Sequence, residues 1–298
     1  MRPAPVFFSL PAMPTTPYTT LISAEQLQRG LSAAFVADCS HELTDPRAGL
    51  QNYTAGHIPG AVHLHLDTHL SSAPNGRNGR HPLPDPAELA AQLAAMGLRQ
   101  GQQVVAYDRS QGTYAARLWW LLRWLGHAPV AVLDGGWQAW LEAGGASQTE
   151  TPAARPRGDF AVKPSLVRFV QVDDVLGNLQ HRQRLVIDAR SPQRYRGEGE
   201  TLDPKAGHIP GAVCRYYRDN LREDGRFKSA DELRTEWLAI LGKRKPQEVV
   251  NQCGSGVSAC HNILALEHAG LDGSLLYPGS WSEWCADPAR PMVCEASS

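Results

Sequence analysis

The chain has 298 residues, of which 42% are hydrophobic and 20% are charged, and its formal net charge is −1. This composition is typical of a globular protein with one large core or two cores of roughly 100 to 150 residues each. No block of like charges provides the positive patch that binding to a phosphate backbone requires, so nucleic acid is excluded as an expected partner.

The amino-terminal segment and the cysteines indicate a cytoplasmic protein. The segment PVFFSLPAM (5–13) is interrupted by prolines and lacks a following cleavage pattern, so we expect a disordered leader and no secretory signal. No stretch reaches the roughly 18 to 20 apolar residues of a membrane span, so no membrane partner is expected. The six cysteines form no CxxC pair, which argues against a disulfide framework and a zinc site. We predict no metal.

In the first half, short apolar runs alternate with segments of helical apolar spacing. Strands are predicted at AFVADC (34–39), AVHL (61–64), QVVAYD (103–108) and VAVLDG (130–135). Helices are predicted near 86–96, 113–125 and 137–143.

A segment rich in glycine, proline and small polar residues follows and is predicted to be a linker. Beyond it the alternation returns. Strands are predicted at RLVIDA (184–189), GAVC (211–214), EVVNQ (248–252) and SLLY (274–277). Helices are predicted near 230–241, 257–269 and 281–285.

The two halves are copies of one unit. AGHIPGAV occurs at 55–62 and again, letter for letter, at 206–213. We therefore predict an α/β protein of two tandem domains, each a mostly parallel sheet flanked by helices on both faces. The predicted bounds are 20–145 for the first domain, 146–164 for the linker and 165–298 for the second domain. His57 and His208 in the repeat are expected to satisfy local backbone groups.

The segment CGSGVSAC (253–260) is the main functional candidate. Cys253 follows a predicted strand, Gly254-Ser255-Gly256 allows tight curvature, and a predicted helix begins near Val257 and Ser258. Backbone N–H groups of such a loop converge on an anion, and a helix N-terminus favours a thiolate. Loop N–H groups or a nearby cation must supplement the helix dipole. Cys253 is therefore predicted to be a reactive nucleophile.

Two chemistries use a cysteine in such a cradle. Cysteine-based phosphatases need an arginine six positions after the nucleophile, where this chain has Ala259. The alternative is covalent catalysis in which the thiolate takes a sulfur atom as a persulfide and passes it to an acceptor. The sequence favours the persulfide.

The paired GHIPGA segments, the CGSGVSA loop and the closing YPGSWSEW segment resemble the two-domain sulfurtransferases of the rhodanese family. The resemblance implies two rhodanese-like domains, a non-catalytic first domain and a catalytic second one. In agreement with this, Asp108 occupies the place of Cys253 in the first half.

The resemblance also implies roles for individual residues. The cradle would be Gly254, Ser255, Gly256, Val257 and Ser258, and Arg194 in RYRG would bind the donor's carboxylate. Asp67 and His81 would form a proton relay with Ser255. A second arginine of the family pattern is absent, because Asp203 stands there, which leaves Arg190 or Arg196 as alternatives.

The implied activity is transfer of sulfur from 3-mercaptopyruvate to a thiol or a thioredoxin-like acceptor, without a cofactor. Two alternatives remain open: thiosulfate as the donor, or a persulfide-carrier module with little turnover of small donors.

Overall fold

A computed structural model describes residues 16–295. It contains two five-stranded sheets, one in each half, and every strand pairing in them is parallel. The predicted leader falls largely in 1–15, outside the described residues. The predicted domain and linker bounds remain a prediction.

The first half builds a sheet of order β1-β5-β4-β2-β3. Its strands are β1 Leu21–Ile22, β2 Phe35–Asp38, β3 Val62–His63, β4 Val104–Tyr107 and β5 Val130–Leu133. Its helices are α1 Ala24–Gly30, α2 Ala48–Ala55, α3 Pro86–Ala95, α4 Ala115–Trp124 and α5 Gly136–Glu142.

The second half repeats that order as β6-β10-β9-β7-β8. Its strands are β6 Arg168–Phe169, β7 Leu185–Asp188, β8 Val213–Cys214, β9 Val249–Gln252 and β10 Leu275–Leu276. Its α-helices are α6 Val172–His181, α7 Pro192–Arg196, α8 Ala230–Leu241, α9 Ser258–His268 and α10 Ser280–Trp284. Short 3₁₀ helices cover Tyr217–Asn220 and Pro246–Glu248.

Both faces of each sheet are covered, as the continuous apolar strands require. In β4, Val104 and Ala106 belong to one buried cluster, while Val105 and Tyr107 belong to another on the opposite face. The first of these clusters continues into the second half, because α4 packs against α9. The two halves therefore share one apolar core.

The predicted strands and helices are present, with small differences at their ends. Strands β1 and β6 were not predicted, because they have two residues each and are too short to show a period. Helices α1, α2, α6 and α7 were not predicted either. For α7 a signal was present, since Ser191 accepts the Arg194 N–H as an N-cap and Pro192 occupies the first helical turn.

Candidate active site

Cys253 lies where the topology predicts a ligand site, at the carboxyl end of β9. Its N–H donates to Ser280 Oγ at 3.0 Å, and its carbonyl accepts the Trp281 N–H at 3.0 Å. The first residues of α10 therefore hold the backbone of Cys253 in place. Gly256 has φ of +75°, and a Cβ there would collide with the Pro278 carbonyl oxygen, so the curvature requires glycine.

The first half contains an equivalent loop, in which the side chain of Asp108 accepts hydrogen bonds from the loop N–H groups. Asp108 is buried, and its carboxylate accepts four backbone N–H groups at 2.7 to 2.9 Å, from Ser110, Gly112, Tyr114 and Ala115. Burial raises the pKa of Asp108, and these hydrogen bonds act in the opposite direction. The backbone conformation that the repeat encodes is therefore one that holds an anion.

In the second half this loop has no carboxylate. Within residues 16–295, no protein group accepts a hydrogen bond from the N–H groups of Gly254, Ser255, Gly256 or Val257. Cys253 stands at the position that corresponds to Asp108. The loop can therefore take up an anion beside the Cys253 sulfur.

Cys253 opens into a cavity of about 520 Å³ between the two halves. Its side chain is mostly covered, with a residue exposure of 2%, yet it lines the cavity with Gly254, Ser255, Val257 and Ser258. The first half contributes Arg80, Arg109 and Tyr114 to the lining. A sulfur donor in this cavity would touch residues of both halves.

The three residues predicted to form a relay are in contact. The Ser255 hydroxyl donates to His81 Nδ1 at 2.7 Å, and His81 Nε2 lies 3.3 Å from Asp67 Oδ1, which accepts its hydrogen. Burial lowers the pKa of His81, although Asp67 opposes this effect. The hydrogen bond from His81 lowers the pKa of Asp67. A neutral imidazole beside an ionised carboxylate can accept a proton from Ser255.

One contact between the halves and one within the first half hold His81 against the cradle. The Arg80 N–H donates to Ser282 Oγ at 3.1 Å, and the buried Arg117 guanidinium donates to the His81 carbonyl at 3.1 Å. Arg117 also donates to the Gly256 carbonyl at 3.1 Å. The relay and the loop are thus tied to one side chain.

Of the three arginines after β7, two line the cavity. Arg194 lies beside Gly254, while Arg190 is buried against Asp188, with Nη2 2.6 Å from the carboxylate. Arg196 pairs with Glu198 on the surface and does not line the cavity. Arg190 is thus the one alternative that reaches the site.

The sequence reasoning missed Arg80 and Arg117. Arg80 was visible as the residue before His81 in GRHPLP, but nothing in that stretch shows that it reaches the second half. The structure also locates the two tryptophans of the YPGSWSEW segment. Trp281 and Trp284 are buried within the second half, and neither lines the cavity or belongs to the shared core.

One histidine group resembles a metal site. His41, His65 and Asp67 place ligand atoms within 4.8 Å of one another. However, His65 Nδ1 already accepts the Asp67 N–H at 3.1 Å, and its Nε2 donates to the Pro46 carbonyl at 2.9 Å. Both ring nitrogens of His65 are thus engaged in hydrogen bonds and are not available to a metal ion.

Between residues 16 and 295, no helix combines the length and the apolar character needed to cross a bilayer.

Comparison with known proteins agrees with this geometry. A 3-mercaptopyruvate sulfurtransferase from Leishmania major has a TM-score of 0.80 and 31% identity, covering 91% of this chain and 75% of its own. The Escherichia coli 3-mercaptopyruvate sulfurtransferase SseA has a TM-score of 0.75 and 29% identity, covering 89% of this chain and 99% of its own.

Curated relatives cover nearly the whole chain. A probable 3-mercaptopyruvate sulfurtransferase of Pseudomonas aeruginosa is 47% identical over 92% of this chain and 97% of its own length. A putative thiosulfate sulfurtransferase of Mycobacterium tuberculosis is 37% identical over 91% and 96%. The rhodanese-like domain model matches residues 23–143 and again 171–287. The chain therefore belongs to the rhodanese family.

Proposed function

We propose that this sulfurtransferase moves sulfur from 3-mercaptopyruvate to a thiol through a persulfide on Cys253. The observation that carries the proposal is the pair of equivalent loops, one holding the Asp108 carboxylate and one placing Cys253 among N–H groups without an acceptor. A persulfide anion in the second loop would receive the hydrogen bonds that the carboxylate receives in the first.

In the first step the Cys253 thiolate attacks the sulfur of the donor. The new S–S bond forms as the carbon–sulfur bond breaks, and the electron pair of that bond leaves with the carbon as the enolate of pyruvate. The thiol proton of the donor passes through Ser255 Oγ to His81 Nδ1 and returns to the enolate carbon. Pyruvate leaves, and Cys253 carries one additional sulfur.

In the second step an acceptor thiol attacks the outer sulfur. The acceptor leaves as a persulfide, and Cys253 returns to its starting state. The 520 Å³ cavity is much larger than a mercaptopyruvate molecule, which supports approach by a small thiol or by the exposed thiol of a thioredoxin-like protein. We place this reaction in the cytoplasm.

Thiosulfate is the second candidate donor. Arg109 and Arg218 both line the cavity, and neither forms an ion pair within residues 16–295. Such guanidiniums suit an oxyanion with two negative charges.

Steady-state rates on each donor test the proposal. The wild type should release pyruvate from mercaptopyruvate with a higher kcat/KM than it releases sulfite from thiosulfate. Mass spectrometry after donor exposure should find one added sulfur atom on the peptide containing Cys253. Cys253→Ser should show neither turnover nor the added sulfur mass. A higher kcat/KM for thiosulfate would overturn the donor assignment. Stable loading without turnover would instead favour the carrier alternative.

A further inference from the structure

Six charged side chains lie together at one end of the cavity. Three are arginines and three are carboxylates, and each makes at least one ion pair within the group: Arg80, Arg190, Arg194, Asp188, Glu200 and Asp203. Their formal charges cancel. An incoming anion therefore meets guanidinium N–H groups but no excess positive charge from this cluster.

Asp203 is the member that joins the two halves. Its carboxylate accepts from Arg80 of the first half and from Arg194 Nη2 of the second half, the latter at 3.1 Å. Its side chain is only 1% exposed and does not line the cavity. Burial raises the pKa of Asp203 and so does Glu200, while Arg80 and Arg194 act in the opposite direction by stabilising the ionised form.

The two arginines held by Asp203 reach the residue after Cys253. Their side chains remain 27% and 24% exposed, and both line the cavity. A Cβ built on Gly254 would lie 2.8 Å from Arg80 Nη2 and 3.5 Å from Arg194 Nη1, so both guanidiniums end beside the residue that follows Cys253.

The charge of Asp203 bears differently on the two candidate donors. A carboxylate of charge −1 can use guanidinium N–H groups as hydrogen-bond donors in a planar, bidentate manner. Thiosulfate carries charge −2, so its Coulomb repulsion from a fixed carboxylate behind the guanidiniums is twice as large. Neutralising that carboxylate would therefore favour the dianion more than the monoanion.

We propose that Asp203 is a specificity-determining residue, which pairs Arg80 with Arg194 and makes the cavity select a thiol donor with one carboxylate over a sulfur oxyanion with two negative charges. Asp203 acts through the two arginines and does not touch the donor. The inference rests on the proposed function, because it concerns the donor of that same reaction.

The test is the donor preference of Asp203→Asn, which keeps the shape of the side chain and removes its charge. The ratio of kcat/KM for thiosulfate to kcat/KM for mercaptopyruvate should rise about tenfold, as expected for one unit charge several ångströms away at intermediate effective dielectric. The change should appear mainly in the KM for thiosulfate. Asp272→Asn, an equal change of net charge at an exposed position outside the cavity, should leave the ratio unchanged.

Binding provides a readout without turnover. In a Cys253→Ser background, isothermal titration should show that Asp203→Asn binds thiosulfate about tenfold more tightly at low salt, with a smaller gain at high salt. An unchanged ratio and an unchanged affinity in the folded variant would overturn the proposal. So would an equal shift in Asp272→Asn.

A second variant covers the case in which Asp203→Asn does not fold. Arg80→Gln leaves the Asp203 carboxylate with one fewer cation, so the thiosulfate-to-mercaptopyruvate ratio should fall, and a rise would contradict the inference. If the wild type turns over neither donor, the proposed function fails. The role of Asp203 is then still tested by comparing thiosulfate binding with and without Asp203→Asn in the Cys253→Ser background.

Discussion

Asp108 and Cys253 occupy equivalent positions in two copies of one loop, and the difference between them is what fills the ring of N–H groups. The carboxylate brings its own charge and uses four N–H groups permanently. The cysteine leaves its N–H groups available for sulfur that arrives and departs. In the proposed reaction, this one side chain thus distinguishes a structural loop from a catalytic one.

Replacing Asp108 should therefore affect stability more than chemistry. Asp108→Ala leaves buried N–H groups without an acceptor, and we expect the free energy of unfolding to fall by about 2 to 4 kcal/mol. Urea titration measures this loss, with the exposed Asp272→Ala as the control. Because the catalytic loop is in the other half, the folded variant should keep most of its turnover. Abolished turnover in a folded variant would show that the first loop takes part in the reaction.

His81 offers a test of the relay. Without the imidazole, Ser255 has no partner that can take its proton, so we expect His81→Gln to lower kcat on mercaptopyruvate by about 10² or more with little change in KM. Ser255→Ala should cost a similar factor. Since the two groups act as a unit, the double variant should lose no more than the worse single variant. Multiplicative losses would indicate independent roles.

At the scale of elements, the histidine of the repeated octapeptide makes the same contacts in both halves. His57 stacks on Tyr53 at 4.0 Å between ring centroids, and His208 stacks on Tyr195 at 3.8 Å. Each histidine Nδ1 donates to the carbonyl of the same tyrosine, at 2.9 and 2.8 Å. The prediction that these histidines satisfy local backbone groups is confirmed.

Helix α4 contributes a buried cation to the other half. Arg117 has no carboxylate within 4.0 Å among residues 16–295, and its guanidinium instead donates to backbone carbonyls, including those of Gly256 and His81. Burial lowers the pKa of Arg117, while negative charge on Cys260 or Cys253 acts in the opposite direction. A thiolate in the cradle would therefore be attracted to this buried cation.

Removing the Arg117 cation should loosen the cradle and slow the reaction of its sulfur. Arg117→Met leaves buried carbonyls without donors, and we expect a loss of about 2 to 4 kcal/mol in unfolding free energy. Alkylation of Cys253 by iodoacetamide at pH 7 should slow. Arg117→Lys keeps the charge with fewer N–H groups, so it should lose stability but alkylate at nearly the wild-type rate. Equal slowing in both variants would mean that geometry, not charge, supports the thiolate.

How much the sequence predicted depended on the range of the interactions involved. The glycines around Ser255 and the strand before Cys253 are local signals, and they predicted the tight loop that joins β9 to α9. Helix α8 was predicted at its observed bounds, with Ser229 and Glu232 forming a capping box. The contact of Arg80 with Asp203 joins residues more than 100 positions apart, and no local pattern encodes how two folded halves dock.

At the scale of the whole molecule, the interface between the halves contains a buried histidine. His261 of α9 donates from Nε2 to the Gln111 carbonyl of the first half at 3.2 Å, and its ring stacks on Phe227 at 4.4 Å. Asn220 Nδ2 lies 3.3 Å from His261 Nδ1, which accepts its hydrogen. The neutral tautomer satisfies all of these contacts, whereas a protonated ring would place a donor against a donor.

This histidine should make folding sensitive to acid. Burial lowers the pKa of His261 to about 3, from an ordinary value near 6.5. A depressed pKa in the folded state means that its stabilisation is present above pH 6.5 and is lost as pH falls toward 3, at about 1.4 kcal/mol per pH unit. The difference in unfolding free energy between His261→Gln and wild type should therefore shift in favour of the variant by about 1.4 kcal/mol for each pH unit below 6.5.

Urea titrations at pH 7, 6 and 5 measure this difference directly. Glutamine can keep both hydrogen bonds, donating to Gln111 and accepting from Asn220, so the comparison isolates the charge. His181→Gln, at the exposed end of α6, controls for the loss of a histidine from the chain. Parallel pH profiles for wild type and His261→Gln would contradict a lowered pKa of His261 in the folded state.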